Sequence, residues 1–199
     1  EGFYYRPRMD KEILAQYSEG LLCTSACLRG EVAYNLMKGN YDAALKSADE
    51  FSQIFGKGNF YIELMEHGLP DKKPVNEGLM KIAKELDLPL VVTNDVHYLE
   101  QAQYKAHEAL LCIQTQTFLN DPNRMRLKTD QFFFKSPEQM KREFLWVPQA
   151  LSNTVEIADK CNLDLRFGQY HLPNYDPPGG QGKDAYLEEL CAKGIKERF

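Results

Sequence analysis

Apolar positions along the chain alternate between two textures. Short runs dominated by apolar residues, LLCTS at 21–25, NFYIELM at 59–65 and LPLVVTN at 88–94, predict strands buried on both faces. Between them the period lengthens to that of a helix. Tyr41, Ala44, Leu45, Ala48, Phe51 and Phe55 recur at steps of three, four and seven, which puts them on one helical face, and Val75, Leu79, Ile82, Ala83 and Leu86 do the same within 71–87. Shorter helical patterns cover 9–18, where Ile13, Leu14 and Tyr17 align before Gly20, and 100–113. No strand is expected at the very start, EGFYYRPRMDKE.

Farther along, QFFFKS at 131–136 predicts another strand. Ser136, Pro137 and Gln139 then have the spacing of an N-cap, a first-turn proline and a capping-box partner for a helix through Phe144. A last helix of this part spans about 148–161, with Leu151, Val155, Ala158 and Cys161 expected on its buried face. Strand, helix, strand, helix, strand, helix is the order of an α/β fold with a parallel sheet, either open and doubly wound or closed into a barrel. The stretch GQYHLPNYDPPGGQGKD packs five prolines and glycines into 173–180 and reads as a linker, followed by a helical segment. The expected division is therefore 1–172 and 173–199.

Composition narrows the class. Hydrophobic residues make up 43% of 199 and charged residues 27%, which excludes a disordered chain. The net charge of −5 excludes a general nucleic-acid coat, so any such contact must come from a local patch. No run reaches the roughly 20 apolar residues of a membrane span, and the first residues lack a signal-peptide core, so a cytoplasmic location is expected. Five cysteines without a C-x-x-C pair indicate reduced thiols rather than a disulfide framework.

In a parallel α/β fold, reactive groups gather where strands hand over to the loops that follow them. After LLCTS stands Cys27, followed by Arg29 and Glu31; around NFYIELM stand Glu63, Glu66 and His67; after LPLVVTN stand Asp95 and His97. Imidazole, carboxylate and thiolate are the donor types of Zn²⁺, Mn²⁺ or Fe²⁺ sites that do hydrolytic chemistry. Asp95 and His97, two apart on an extended segment, point to one side, and Asn94 and Tyr98 are placed to support them with hydrogen bonds. Each residue also has a plain structural reading: D-x-H as a turn, His67 as a cap beside Gly68, Cys27 as a small buried hydrophobe. Arg124 and Arg126 in DPNRMRL are candidates for a phosphate contact or simply solvated surface. His107 reads as a packing residue, and His171 falls in the linker.

Several strings together, EGFYYRPRMDKEIL, SEGLLCTSACLRGE, FYIELMEHGLPDKKPVNEGLMKIAKELDLPLVVTNDVHYL, HEALLCIQT and IADKCNLDLRFGQYHLPNY, resemble one family over nearly the whole chain. It is the C-family of bacterial replicative polymerases, the DNA polymerase III alpha subunits, in their N-terminal PHP (polymerase and histidinol phosphatase) domain. The resemblance implies a distorted (β/α)7 barrel, incomplete here at its N-terminus, leading into the start of a palm region. It implies a metal site for Zn²⁺ or Mn²⁺ using Asp95, His97, His67 and Cys27, with Glu63, Glu66 and Asn94 in support. The family's opening H-x-H strand is expected upstream of Glu1.

For the complete protein the resemblance implies DNA synthesis on primer-template from dNTPs with Mg²⁺ bound by palm aspartates that lie outside this chain. The implied partners are a proofreading exonuclease subunit and the sliding clamp, with no membrane. For the PHP part it implies a metal-dependent 3′ to 5′ exonuclease or a scaffold for the proofreading subunit. A free-standing phosphatase of the histidinol-phosphate type and a metal-free interaction module are the rival readings.

Overall fold

In the computed structural model, which describes residues 3–70, 72–170 and 172–198, the first element is a short antiparallel pair. It comprises β1 (Phe3–Tyr4) and β2 (Arg6–Pro7). No strand was expected there, because two-residue strands are too short to show alternation. Tyr5, with φ of 57°, makes the reversal between them. α1 (Lys11–Gln16) follows, capped by the Asp10 carboxylate, which accepts from the Ile13 N–H at 2.9 Å.

β3 (Cys23–Thr24), α2 (Glu31–Met37), α3 (Tyr41–Phe55), β4 (Phe60–Leu64), α4 (Lys72–Glu85) and β5 (Leu90–Val92) then alternate as the hydrophobic pattern predicts. The strands are parallel in the order β3-β4-β5, with Thr24 opposite Tyr61 and Glu63 opposite Val91. β4 is central and all five of its residues are buried. Phe60, Ile62 and Leu64 pack with Ala44 and Ala48 of α3, Leu79 and Ile82 of α4, and Phe144. Tyr61 and Glu63, with the opposite parity, lie on the other face of the sheet. The fold is thus mixed α/β, with a parallel ladder of three strands among the described residues.

A 3₁₀ turn at Gln101–Gln103 leads into α5 (Tyr104–Thr115). The strand expected at 131–136 does not form; only Phe133 bridges to Tyr98. Asn94 explains why, since its side-chain amide donates to the Gln131 and Phe133 carbonyls at 2.9 and 2.7 Å and takes acceptors that a partner strand would use.

α6 (Pro137–Glu143) starts on the expected Ser136 and Gln139 capping box. α7 (Pro148–Lys160) keeps Leu151 packed on the core as expected but turns the rest of the expected face outward: Ala150 and Asn153 are buried, while Val155 is 61% exposed and Ala158 and Cys161 are also exposed. A polar contact sets that rotation, because the Asn153 amide donates to the Leu90 carbonyl of β5 at 2.7 Å.

The chain divides into compact units at 1–161 and 162–199. In the second, a 3₁₀ turn at Pro178–Gly180 precedes α8 (Lys183–Arg198), and the Tyr175 and Tyr186 rings stack at 6.1 Å between centroids. No residue of α8 is buried. His171 lies outside the described residues. Among those residues no helix is long and apolar enough to cross a membrane.

Candidate metal centre

The C-terminal ends of β3, β4 and β5 lie side by side, and each hands over to a loop of irregular backbone. Ala26, just before Cys27, and Asp95 both adopt left-handed φ, 61° and 44°. Non-glycine residues hold that region at a cost and concentrate at functional sites. The first loop is tightened further at Gly30, where an added Cβ would stand 2.2 Å from the Ser25 carbonyl oxygen.

These loops border a cleft of about 250 Å³ lined by Cys27, Arg29, Lys72, Asp95 and His97, with an apolar wall that includes Met125, Leu127 and Phe132. Three of the four expected metal ligands therefore share one cleft. The fourth, His67, is buried and stacks on Phe132 at 3.9 Å between ring centroids. Its Nε2–H donates to the Asn94 carbonyl at 3.0 Å, which leaves the buried Nδ1 lone pair with no partner. Burial, more than any charge, lowers the His67 imidazole to about 4, so the ring is neutral at pH 7.

The His97 backbone N–H donates to the Phe132 carbonyl at 2.8 Å, and its Nδ1–H donates to the Asp95 carbonyl. That bond fixes the tautomer and leaves Nε2 as the free donor atom. The His107 ring sits 5.5 Å from His97, edge-on, and 5.4 Å from Tyr98. His107 Nδ1 and the Tyr98 hydroxyl are both buried without partners.

Glu63 lies deeper. Its carboxylate accepts hydrogen bonds from the hydroxyls of Thr24 and Thr93 on the two flanking segments, and its backbone N–H donates to Ser25 Oγ at 2.9 Å. Glu66 turns elsewhere: it accepts from the Gly68 N–H at 2.7 Å and lines a separate pocket with Lys73, Met80 and Trp146. Arg124 is engaged in the fold, paired with Glu108 at 2.7 Å and donating to the Leu119 carbonyl. Arg126 is exposed, and neither arginine lines the cleft.

Lys72 was not singled out from the sequence, where Asp71, Lys72 and Lys73 look like a solvated helix start. In the structure it is buried and faces the cleft. Burial lowers its ammonium, while the charges of Asp95, then Cys27, Glu66 and Glu63, act in the opposite direction. No signal of the hydrophobic pattern marks it.

The donor chemistry suits a metal ion: a thiol, a carboxylate and imidazoles with fixed tautomers and free lone pairs. In number the set falls short. Among the described residues no three His, Cys, Asp or Glu side chains gather closely enough to hold one ion. No chemical step is therefore routed through a metal on these residues alone.

The PHP-domain family model matches residues 1–67, from the start through His67. Beyond that segment the similarity continues to the end of the chain. The chain is 42% identical over 200 residues to the DNA polymerase III subunit alpha of Treponema pallidum, 40% over 205 to that of Thermus aquaticus and 46% over 204 to that of Saccharopolyspora erythraea. In each case all of this chain is covered, together with 17% of the relative. Over its whole length the chain is thus similar to a segment of the DNA polymerase III alpha subunits, and it spans about one sixth of the length of these curated relatives.

Proposed function

We propose that this chain serves as the PHP part of a bacterial replicative DNA polymerase alpha subunit, with a distorted (β/α)7 barrel as its parent fold. The parallel β3-β4-β5 ladder with its cleft at the C-terminal strand ends supports that architecture. In the complete protein the activity is DNA-directed DNA synthesis in the cytoplasm, on primer-template and dNTPs, with Mg²⁺ in a palm outside these residues. The proofreading exonuclease subunit and the sliding clamp are its partners.

The cleft itself is a metal-binding, phosphoesterase-like module of the 3′ to 5′ exonuclease type, with Zn²⁺ or Mn²⁺ taken by Asp95, His97, His67 and Cys27. The observation that carries this reading is the convergence of Cys27, Asp95 and His97 on one cleft beside the orphaned Nδ1 of buried His67. A divalent ion held there by these residues with further donors would supply an acidified water and neutralise charge on a phosphoester. This chain's own residues hold the ring tautomers and exclude water along the Phe132 wall. The shortage of a three-donor cluster favours a second reading, a scaffold for the proofreading subunit with a vestigial rim.

Metal analysis of the full-length protein decides between them. Stoichiometric Zn or Mn is expected, lost on Asp95→Ala together with release of nucleotides from the 3′ end of single-stranded DNA. Equal metal content in the variant and the wild type overturns the ligand assignment, and metal-free wild type establishes the scaffold.

A further inference from the structure

Among the described residues two lysines are buried, Lys72 and Lys135, and they are compensated differently. Lys135 donates to both carboxylate oxygens of Glu143 at 2.7 Å, the usual arrangement for a cation withdrawn from water. Lys72, 4% exposed at the first position of α4, has no carboxylate within ion-pair distance among the described residues; its side-chain hydrogen bond among them runs to the Met65 thioether at 3.6 Å, a weak acceptor. Arg29, on the loop after β3, pairs with no described residue either, and its side chain borders the same cleft.

Two cations without an ion-pair partner among the described residues thus line one opening with Asp95 and His97, and one of them, Lys72, is desolvated. A compact ammionium acts as a point charge on an oxyanion, whereas a guanidinium fork binds two oxygens at once. The apolar wall of Leu127 and Phe132 lowers the local polarity and strengthens both contacts. We propose that Lys72 and Arg29 form an anion subsite that takes the phosphate group of a phosphoester and holds it against Asp95 and His97. The proposal rests on reading the cleft as a phosphoester site, and it adds the residues that bind the charged group.

The test uses the 199-residue chain and inorganic phosphate as the probe, followed by amide chemical shifts, in chelator and again with Mg²⁺. Phosphate is expected to shift the amides of 27–30, 72–73 and 95–97. Lys72→Met and Arg29→Gln are each expected to weaken binding about tenfold or more, the scale of a charge-assisted contact. Lys72→Arg keeps the charge on a bulkier head group and should weaken binding less than Lys72→Met does. Lys72→Met is also expected to melt at a higher temperature than wild type, because removing an unpaired buried charge relieves its desolvation.

Wild-type affinity in Lys72→Met overturns the subsite, as does a wild type that binds no phosphate in either arm. Shifts at the cleft that persist in both variants overturn the roles of Lys72 and Arg29 but leave the cleft reading standing. Shifts confined to another surface overturn both.

Discussion

His67 is the residue at which burial and chemistry meet most directly. It is 1% exposed, donates to the Asn94 carbonyl and keeps a bare Nδ1, and burial holds its imidazole at about 4, below the ordinary value near 6.5. Because the folded value is the lower one, the unfolded chain binds the proton first as pH falls. Stability tied to this ring is intact above about pH 6.5 and is lost as pH drops toward 4, by roughly 3 kcal/mol at most. Urea unfolding of wild type and His67→Gln across that range should show the wild-type advantage shrinking as pH falls; a constant gap would contradict the buried neutral ring. Proximity to strand ends made Cys27, His67, Asp95 and His97 legible as candidates. Lys72 was not legible, since nothing in DKKP distinguishes a buried lysine from a solvated one until α4 packs on β4.

At the scale of elements, the loops set where the donors stand. The turn from Ser25 to Gly30 carries Cys27 and starts α2, and its compactness depends on the missing side chain of Gly30, whose Cβ would meet a backbone oxygen that has no room to move. Gly30→Ala should cost roughly 1–3 kcal/mol in chemical denaturation, as overpacking does. Gly78→Ala meets only the methyl groups of Leu36, at 2.8 and 3.0 Å, and should cost less because that side chain can rotate. A Gly30 variant as stable as Gly78→Ala would show that the turn is looser than it looks. The element order and the α6 capping box followed from sequence because they are local. The missing strand at 131–136 and the rotation of α7 did not, because Asn94 and Asn153 redirect backbone partners from 37 and 63 residues away.

For the whole molecule, the parallel ladder and its helices give the first unit its main core around β4, with a smaller cluster of Tyr98, Phe132 and Phe133, while the second unit, 162–199, has no buried residue in α8. Limited proteolysis should therefore cut first between 162 and 182 and leave 1–161 intact; early cleavage within α3 or α4 would contradict that hierarchy. The sequence by itself determined the α/β class, the order of the central elements and the resemblance to one family, because hydrophobic period, capping residues and motif strings are properties of neighbours along the chain. Only the tertiary structure decided which polar groups are withdrawn from water and which meet. Cys27, Asp95 and His97 share a cleft because three parallel strands end together, and Lys72 joins them because helix packing buries it there without an ion pair to any described carboxylate.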